Sequence, residues 1–187
     1  MRKTAGMAIA LLLLVLAAGC SRSNATVNGV ATDEGIAAIA LPEEQYRDML
    51  KRSALGTQSG AISLGVLGLD EGCDVLDGAV ERVVEKNLPL WRTNLIAAYR
   101  EQVPADQLAR AVKRSPRQAR SILQQHLSSI GRAMQHSSEP LLQTSSAEVL
   151  ESLSSVAAKV NRATIDMATR ERDLARMKTS RQICGVG

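Results

Sequence analysis

The stretch Asp70–Lys86, DEGCDVLDGAVERVVEK, decides the fold class of this chain. Its apolar residues come in neighbouring pairs that recur every four positions, which places them on one broad face of an α-helix. The pairs are Val75 and Leu76, Ala79 and Val80, and Val83 and Val84. We predict an amphipathic helix over this stretch, and we expect Pro89 to break or restart it.

Helical patterns continue on both sides. Pro42 is followed by two acidic residues, a combination that favours a helix start, and Gly56 is suited to the end of that helix. Pro104 and Ser115-Pro116 mark the starts of two further helices. The stripe after Pro89 consists of Leu90, Trp91, Leu95, Ile96, Tyr99 and Val103. Since Trp91 lies on an apolar stripe, we predict a core residue instead of one that stacks on a ligand.

The composition also favours helices. The 187 residues include no Phe, two Tyr and one Trp, whereas β-sheets favour aromatic and β-branched residues. Ala, Leu, Arg, Gln and Glu, which are good helix formers, are abundant. We predict an all-α fold, a bundle of about five to six helices, in a single helical domain over residues 35–187.

The bundle is predicted to include a long C-terminal amphipathic helix. Its apolar residues alternate at spacings of four and three, the heptad pattern of helices that pack along their length. They are Val149, Leu153, Val156, Val160, Ala163, Met167, Leu174 and Met177, with Arg170 as the one charged interruption. This stripe over residues 149–177 fits a homo-oligomer, but we favour packing within the monomer because other amphipathic helices are available to cover it.

Five glycines lie between Gly56 and Gly72. Gly56 and Gly60, like Gly68 and Gly72, are four positions apart, a spacing that allows helices to approach closely. The segment is too short, and too polar at its ends, to span a bilayer. We predict either a loop or a distorted helix packed tightly against a neighbour.

The N-terminus has the features of an export signal. Arg2 and Lys3 precede an uncharged, mostly apolar run, Ala5–Ala18, which is shorter than the roughly 20 residues of a membrane-spanning helix. Residues 1–19 are therefore predicted to be a signal peptide. The small residues Ala17-Ala18-Gly19 suit ordinary signal peptidase, which would release a secreted soluble protein.

The same residues followed by Cys20 resemble the lipobox of bacterial lipoproteins, although Ala17 stands where that family prefers Leu. The resemblance covers residues 2–20 and implies a lipid, with palmitate-type acyl chains, on the thiol and amine of Cys20. Two or three acyl chains anchor a protein stably to a membrane. Because Ser21 follows the cysteine, the resemblance implies the outer membrane, facing the periplasm. Residues 20–34 are small and polar and are expected to form a flexible tether.

The cysteine count agrees with a lipid on Cys20. The chain has three cysteines, Cys20, Cys73 and Cys184, and export delivers them to an oxidising compartment where an odd thiol is a liability. If Cys20 carries lipid, the other two are left as a pair. We predict a disulfide between Cys73 and Cys184 within one chain, and a free pair or an intermolecular link is the alternative.

Charge is distributed unevenly. Residues 20–90 contain six Lys and Arg against eleven Asp and Glu, a net −5, and residues 91–187 contain fifteen against eight, a net +7. The basic half could contact anionic lipid headgroups or another polyanion. The basic residues are spread along helices, however, so we favour packing of the two halves against each other or exposure to solvent. Nucleic acid is not expected as a partner, because exported proteins seldom meet it.

A second resemblance covers residues 90–142. The segments WRTNLIAAYREQ, VPADQLARAV and SPRQARSIL resemble a family of small exported bacterial proteins whose domain has no assigned function. That family has an amphipathic helix, a short helix with an acidic start, and Ser-Pro opening a longer helix. Its aromatic residues before Ser-Pro are replaced here by Val112-Lys113-Arg114. The resemblance implies a helical periplasmic domain and no catalytic residues.

The sequence contains no recognisable catalytic or metal-binding motif. CxxC, HExxH, GxSxG and phosphate-binding glycine loops do not occur. His126 and His136 would lie about 15 Å apart along one helix, too far to share a metal. The acidic cluster between Asp70 and Asp77 lacks the spacing of a calcium loop, and the dipole of a helix start explains it. We expect no enzymatic activity, no metal and no cofactor.

These observations favour a structural or protein-interaction module of the cell envelope, anchored by lipid and recruiting a protein partner. The alternative is a periplasmic lipid- or small-molecule-binding protein whose apolar helices enclose a cavity.

Overall fold

Helix α4, Leu69–Gln102, contains the stretch Asp70–Lys86 and lies at the centre of the fold. The computed structural model describes residues 25–160, 166–179 and 183–186. The other helices are α1 (Asp33–Ala40), α2 (Pro42–Leu55), α3 (Gln58–Leu67), α5 (Ala105–Ala111), α6 (Pro116–Leu123), α7 (Leu127–Ala157) and α8 (Met167–Thr179). The all-α class is confirmed, with somewhat more helices in the described residues than expected. The predicted signal peptide and Cys20 lie outside the described residues.

The expectation that Pro89 breaks the helix is wrong, because α4 continues through it. Proline removes the N–H group that would bond to the carbonyl of Glu85, four residues earlier. Both residues lie on the exposed face of α4, where water can hydrogen-bond to that carbonyl. Pro140 occupies an equivalent exposed position inside α7.

Helices α4 and α7 form an antiparallel pair whose register is fixed by side-chain hydrogen bonds. Asn87 Nδ2 donates to Ser145 Oγ at 3.2 Å, and Asn94 Nδ2 donates to Ser138 Oγ at 3.1 Å. Both serines are fully buried. A shifted register would leave these buried polar groups without partners, which is costly.

The glycine-rich segment forms helix α3, so the second of the two expectations, a helix packed tightly against a neighbour, is confirmed. A Cβ atom on Gly60 would lie 2.0 Å from the carbonyl oxygen of Ala54, and one on Gly72 would lie 2.6 Å from Leu64 Cδ2. Thr57 caps α3 by accepting a hydrogen bond from the Gly60 N–H at 3.0 Å. These glycines allow α2, α3 and α4 to pack closely against one another.

A small β-hairpin differs from the expected tether over residues 20–34. Strands β1 (Thr26–Val27) and β2 (Val30–Ala31) pair antiparallel. Asn28 and Gly29 connect them with positive φ angles of 51° and 79°, the geometry that Asn-Gly turns favour. Of the expected tether, residues 26–31 form this hairpin, Asp33 and Glu34 begin α1, and residues 20–24 lie outside the described part.

The long C-terminal helix is α7, which ends at Ala157 and does not continue to Met177. Val149 and Leu153 are fully buried within the chain, so this part of the heptad stripe packs inside the monomer. A new helix, α8, follows Asp166, whose carboxylate accepts a hydrogen bond from the Ala168 N–H at 3.1 Å. Ala163 and the side chains of Arg170, Leu174 and Met177 lie outside the described part.

The predicted disulfide between Cys73 and Cys184 is present, with an S–S distance of 2.03 Å. It attaches the C-terminal tail to the start of α4. Lys51 Nζ of α2 donates to the carbonyl oxygen of Cys184 at 3.3 Å, and Val186 is buried. The tail is therefore docked on the helical body at several points.

Candidate binding groove

An apolar groove of about 500 Å³ lies between α2, α4 and α7. Helix α4 contributes Trp91, Leu95 and Tyr99, which lie on one face because they are spaced four residues apart. The other lining residues are Gln45 and Met49 of α2, and Leu127, Ile130, Gly131, Met134, Gln135 and Leu142 of α7. The volume falls in the range of small-molecule sites, about 300–1,000 Å³.

Trp91 is held in place by an aromatic partner. Its ring stacks on Tyr46 with the centroids 4.8 Å apart and an angle of 16° between the planes. The Tyr46 hydroxyl shares a hydrogen bond of 2.6 Å with Ser145 Oγ, in which either oxygen can donate. Burial raises the pKa of Tyr46 above its ordinary value, so the hydroxyl is neutral near pH 7. Trp91 is 1% exposed, and the prediction that it is a core residue is confirmed.

The indole N–H of Trp91 is an unusual feature of this core. Within the described part of the chain, Nε1 is buried and has no hydrogen-bond partner. An indole nitrogen can only donate, and a buried donor left unpaired costs about 1–3 kcal/mol. Trp91 also lines the groove, but Nε1 is itself buried, so a guest molecule with an acceptor oxygen reaches this donor only if the ring shifts.

The rim of the groove is open and adaptable. Met49 is 40% exposed, and methionine side chains adjust readily to apolar guests. A Cβ atom built on Gly131 would have no other atom within 4 Å, so there is open space beside this residue. Tyr99 forms part of the wall, and burial raises the pKa of its hydroxyl, opposed by the nearby charge of Arg120.

The other sequence-predicted site residues do not converge on a chemical site. His126 Nε2 lies 3.1 Å from Gln107 Oε1. His126 belongs to a short turn before α7. The two histidines therefore lie in different elements, and not on one helix as the sequence suggested. In the acidic cluster, Asp77 pairs with Lys51 at 2.7 Å. Among the described residues, no group of His, Cys, Asp and Glu is placed to hold a metal ion.

The lengths and the apolar character of the helices bear on whether any of them could span a membrane. Over the described residues, none of them combines the length and the apolar character needed to cross a bilayer.

The groove itself was not predicted, because its walls come from three separate segments. In each segment the lining residues have the spacing of ordinary core positions. The weak signals in the sequence were Gly131, which lies among the apolar residues Leu127, Ile130 and Met134, and the methionine at position 49. No protein-family model, curated protein or solved structure matches the chain.

Proposed function

We propose that this chain is a lipid-anchored binding protein of the bacterial cell envelope, and that its groove holds an apolar chain such as an acyl chain of a lipid. The observation that carries the proposal is the apolar groove lined by Trp91, whose buried indole N–H has no partner among the described residues. Apolar walls favour the chain, and the donor favours a carbonyl or carboxylate oxygen near it.

Burial of methylene groups supplies the driving force. Each buried CH₂ contributes about 0.8 kcal/mol, so about ten of them, about 8 kcal/mol, are needed to leave a measurable affinity after a loss of freedom of about 4 kcal/mol or more is subtracted. Among the described residues, those that line the groove include no carboxylate, imidazole, thiol or amine, which favours binding over catalysis.

The anchor is proposed from the lipobox-like residues before Cys20 and from the pairing of the other two cysteines. Acylation of Cys20 would hold the body at a membrane, with the outer membrane facing the periplasm as the proposed location. This places a lipid-binding groove next to a source of lipid.

A protein partner is the second candidate occupant. The rim is open at Met49, so the apolar face of a partner helix could lie in the groove. The two occupants can be distinguished with a free fatty acid. It should bind in the groove if the natural occupant is an acyl chain, and it need not bind if the occupant is a partner helix.

The groove is tested with dibrominated stearic acid, whose bromine atoms quench tryptophan fluorescence on contact. Trp91 is the only tryptophan of the chain, so all quenching reports on this site. We expect saturable quenching that unlabelled stearate reverses. Gly131→Leu should abolish it, because Gly131 lines the groove and a Cβ atom added there meets no other atom within 4 Å, which leaves room for the larger side chain to occupy the groove.

Gly65→Leu in α3 is the matched control. Gly65 is also helical, and a Cβ atom added to it would have no neighbouring atom within 4 Å, but it does not line the groove. Quenching should be unchanged in this variant. Absence of quenching in the native protein, or equal quenching in both variants, would refute the lipid-binding proposal.

The anchor is tested separately by the intact mass of the mature protein purified from membranes. We expect a chain that begins at Cys20 and carries fatty acid, and Cys20→Ala should leave the precursor unprocessed at this site. A mature chain without fatty acid would exclude the anchor while leaving the groove to its own test.

A further inference from the structure

In one stretch of the chain, every charged residue is basic. Between Gln107 and Ser138 there are six Lys and Arg and no Asp or Glu. The sequence suggested that the basic residues are spread along helices. The structure brings most of them together, because α5 and α6 are short and pack against each other.

The basic end, defined here as Arg110, Lys113, Arg114, Arg117 and Arg120, is solvent-exposed. Three of these residues line a surface hollow of about 620 Å³ between α5 and α6. Arg110 is paired with Asp106 at 3.2 Å. In the described part of the chain the other four have no carboxylate within 4.0 Å, so their charges are available to an external anion.

The N-terminal segment enters the body at the same end. Strand β2 packs against α5, and α1 packs against α6. The backbone N–H of Thr32 donates to the carbonyl oxygen of Ala25 at 3.0 Å, which holds the first described residue against this end. Cys20 lies only five positions earlier, and five extended residues span at most about 18 Å.

We propose that the basic end contacts the headgroups of anionic phospholipids and so forms a second, electrostatic attachment of the body to the membrane. The orientation of the basic end towards the membrane rests on the proposed anchor at Cys20. The positive charge of the basic end is independent of that anchor. A basic cluster near a lipid anchor adds to membrane affinity, and its attraction acts within about 10 Å at ordinary salt. The contact would also fix which side of the helical body faces the bilayer.

The test uses the chain from Ser21 onward, which contains every described residue and lacks Cys20. Co-sedimentation compares phosphatidylcholine vesicles with vesicles that also contain phosphatidylglycerol. We expect binding to the anionic vesicles only, weakening as salt is added. The triple variant Lys113→Glu, Arg114→Glu, Arg117→Glu should lower the partition coefficient by at least about tenfold.

The matched control reverses three exposed charges elsewhere, with Arg82→Glu, Lys159→Glu and Arg172→Glu. It has the same net charge as the test variant and should retain most of the binding. The milder pair Arg114→Gln and Arg117→Gln gives a second measurement if the triple variant is not folded by circular dichroism.

Equal binding to both vesicle types, equal loss in test and control variants, or binding to a soluble polyanion such as heparin but not to vesicles would overturn the inference. Because the tested chain carries no lipid, these outcomes are independent of whether Cys20 is acylated. They are also independent of the groove, which can be checked in the same variants by quenching of Trp91.

Discussion

At the scale of single residues, Tyr46 contacts both a wall of the groove and the buried interface between α4 and α7. One face of its ring supports Trp91, and its hydroxyl bonds to Ser145 between α4 and α7. Tyr46→Phe should lower the free energy of unfolding by about 1 kcal/mol, the net value of one buried hydrogen bond. Ser145 retains the bond from Asn87, which limits the loss. Urea denaturation monitored by circular dichroism measures the change.

Tyr99→Phe is the matched control, since the Tyr99 hydroxyl makes no hydrogen bond within the described residues and its ring is similarly buried. Its free energy of unfolding should stay close to that of the native protein. Equal losses in the two variants would show that the Tyr46–Ser145 bond contributes nothing specific.

The two buried tyrosines also predict an alkaline limit to stability. Burial raises the pKa of both hydroxyls above 10.0, so above pH 10 the folded state keeps protons that the unfolded state loses. Stability is then complete below pH 10 and falls as pH rises through the folded-state pKa values. The double variant Tyr46→Phe, Tyr99→Phe should lose less stability than the native protein between pH 9 and pH 11. If the free energy of unfolding falls equally with pH in the native protein and the double variant, this prediction is contradicted.

Residue patterns predicted the role of Trp91 in the core but not its unpartnered N–H. The stripe that contains Trp91 indicates that a helix face is buried. Whether a buried donor finds an acceptor depends on atoms of α2 and α7, and these come from distant parts of the chain.

At the scale of elements, the corner between α2 and α3 depends on Gly60. A Cβ atom there would overlap the Ala54 carbonyl, which is main chain and cannot move aside easily. Gly60→Ala should therefore cost about 1–3 kcal/mol of stability. Gly65→Ala in the same helix meets no atom within 4 Å and should gain up to about 1 kcal/mol from helix propensity. Thermal unfolding of both variants gives the comparison, and a loss in both would argue against the close approach.

Element types were easier to predict than element ends. The periodicity of Asp70–Lys86 and the starts at Pro42 and Pro116 agree with the structure. The prediction at Pro89 was wrong because proline ends a helix when the carbonyl that loses its N–H donor is left without another partner. Here that carbonyl faces water. The hairpin at Asn28-Gly29 was missed because each of its strands has only two residues, too few for a pattern.

At the scale of the whole molecule, the disulfide closes most of the chain into one loop. Cys73 and Cys184 are separated by 111 positions, and bridges over loops of this size contribute about 4–5 kcal/mol in the chain-entropy model, usually less in practice. Cys184→Ser should lower the free energy of unfolding by about 2–4 kcal/mol. Reductant should destabilise the native protein similarly and leave the variant unaffected. A native protein that is insensitive to reductant would contradict a structural role for the bridge.

The global arrangement could be predicted only in part from the sequence. Cysteine parity indicated the bridge, and composition indicated the helical class. The groove and the basic end both depend on how α2, α4, α5, α6 and α7 are arranged in space. No local pattern of residues determines that arrangement, which is why the sequence suggested dispersed charge where the structure has a cluster.

Nuclear magnetic resonance of the indole N–H of Trp91 tests directly whether the groove binds an acyl chain. The chain has one tryptophan, so its ¹H–¹⁵N spectrum contains a single indole signal that needs no assignment. Titration with stearate should move this signal saturably as the donor gains an acceptor, and Gly131→Leu should prevent the change. An indole signal that stays in place at saturating stearate would contradict the account of the groove as a binding site for an acyl chain.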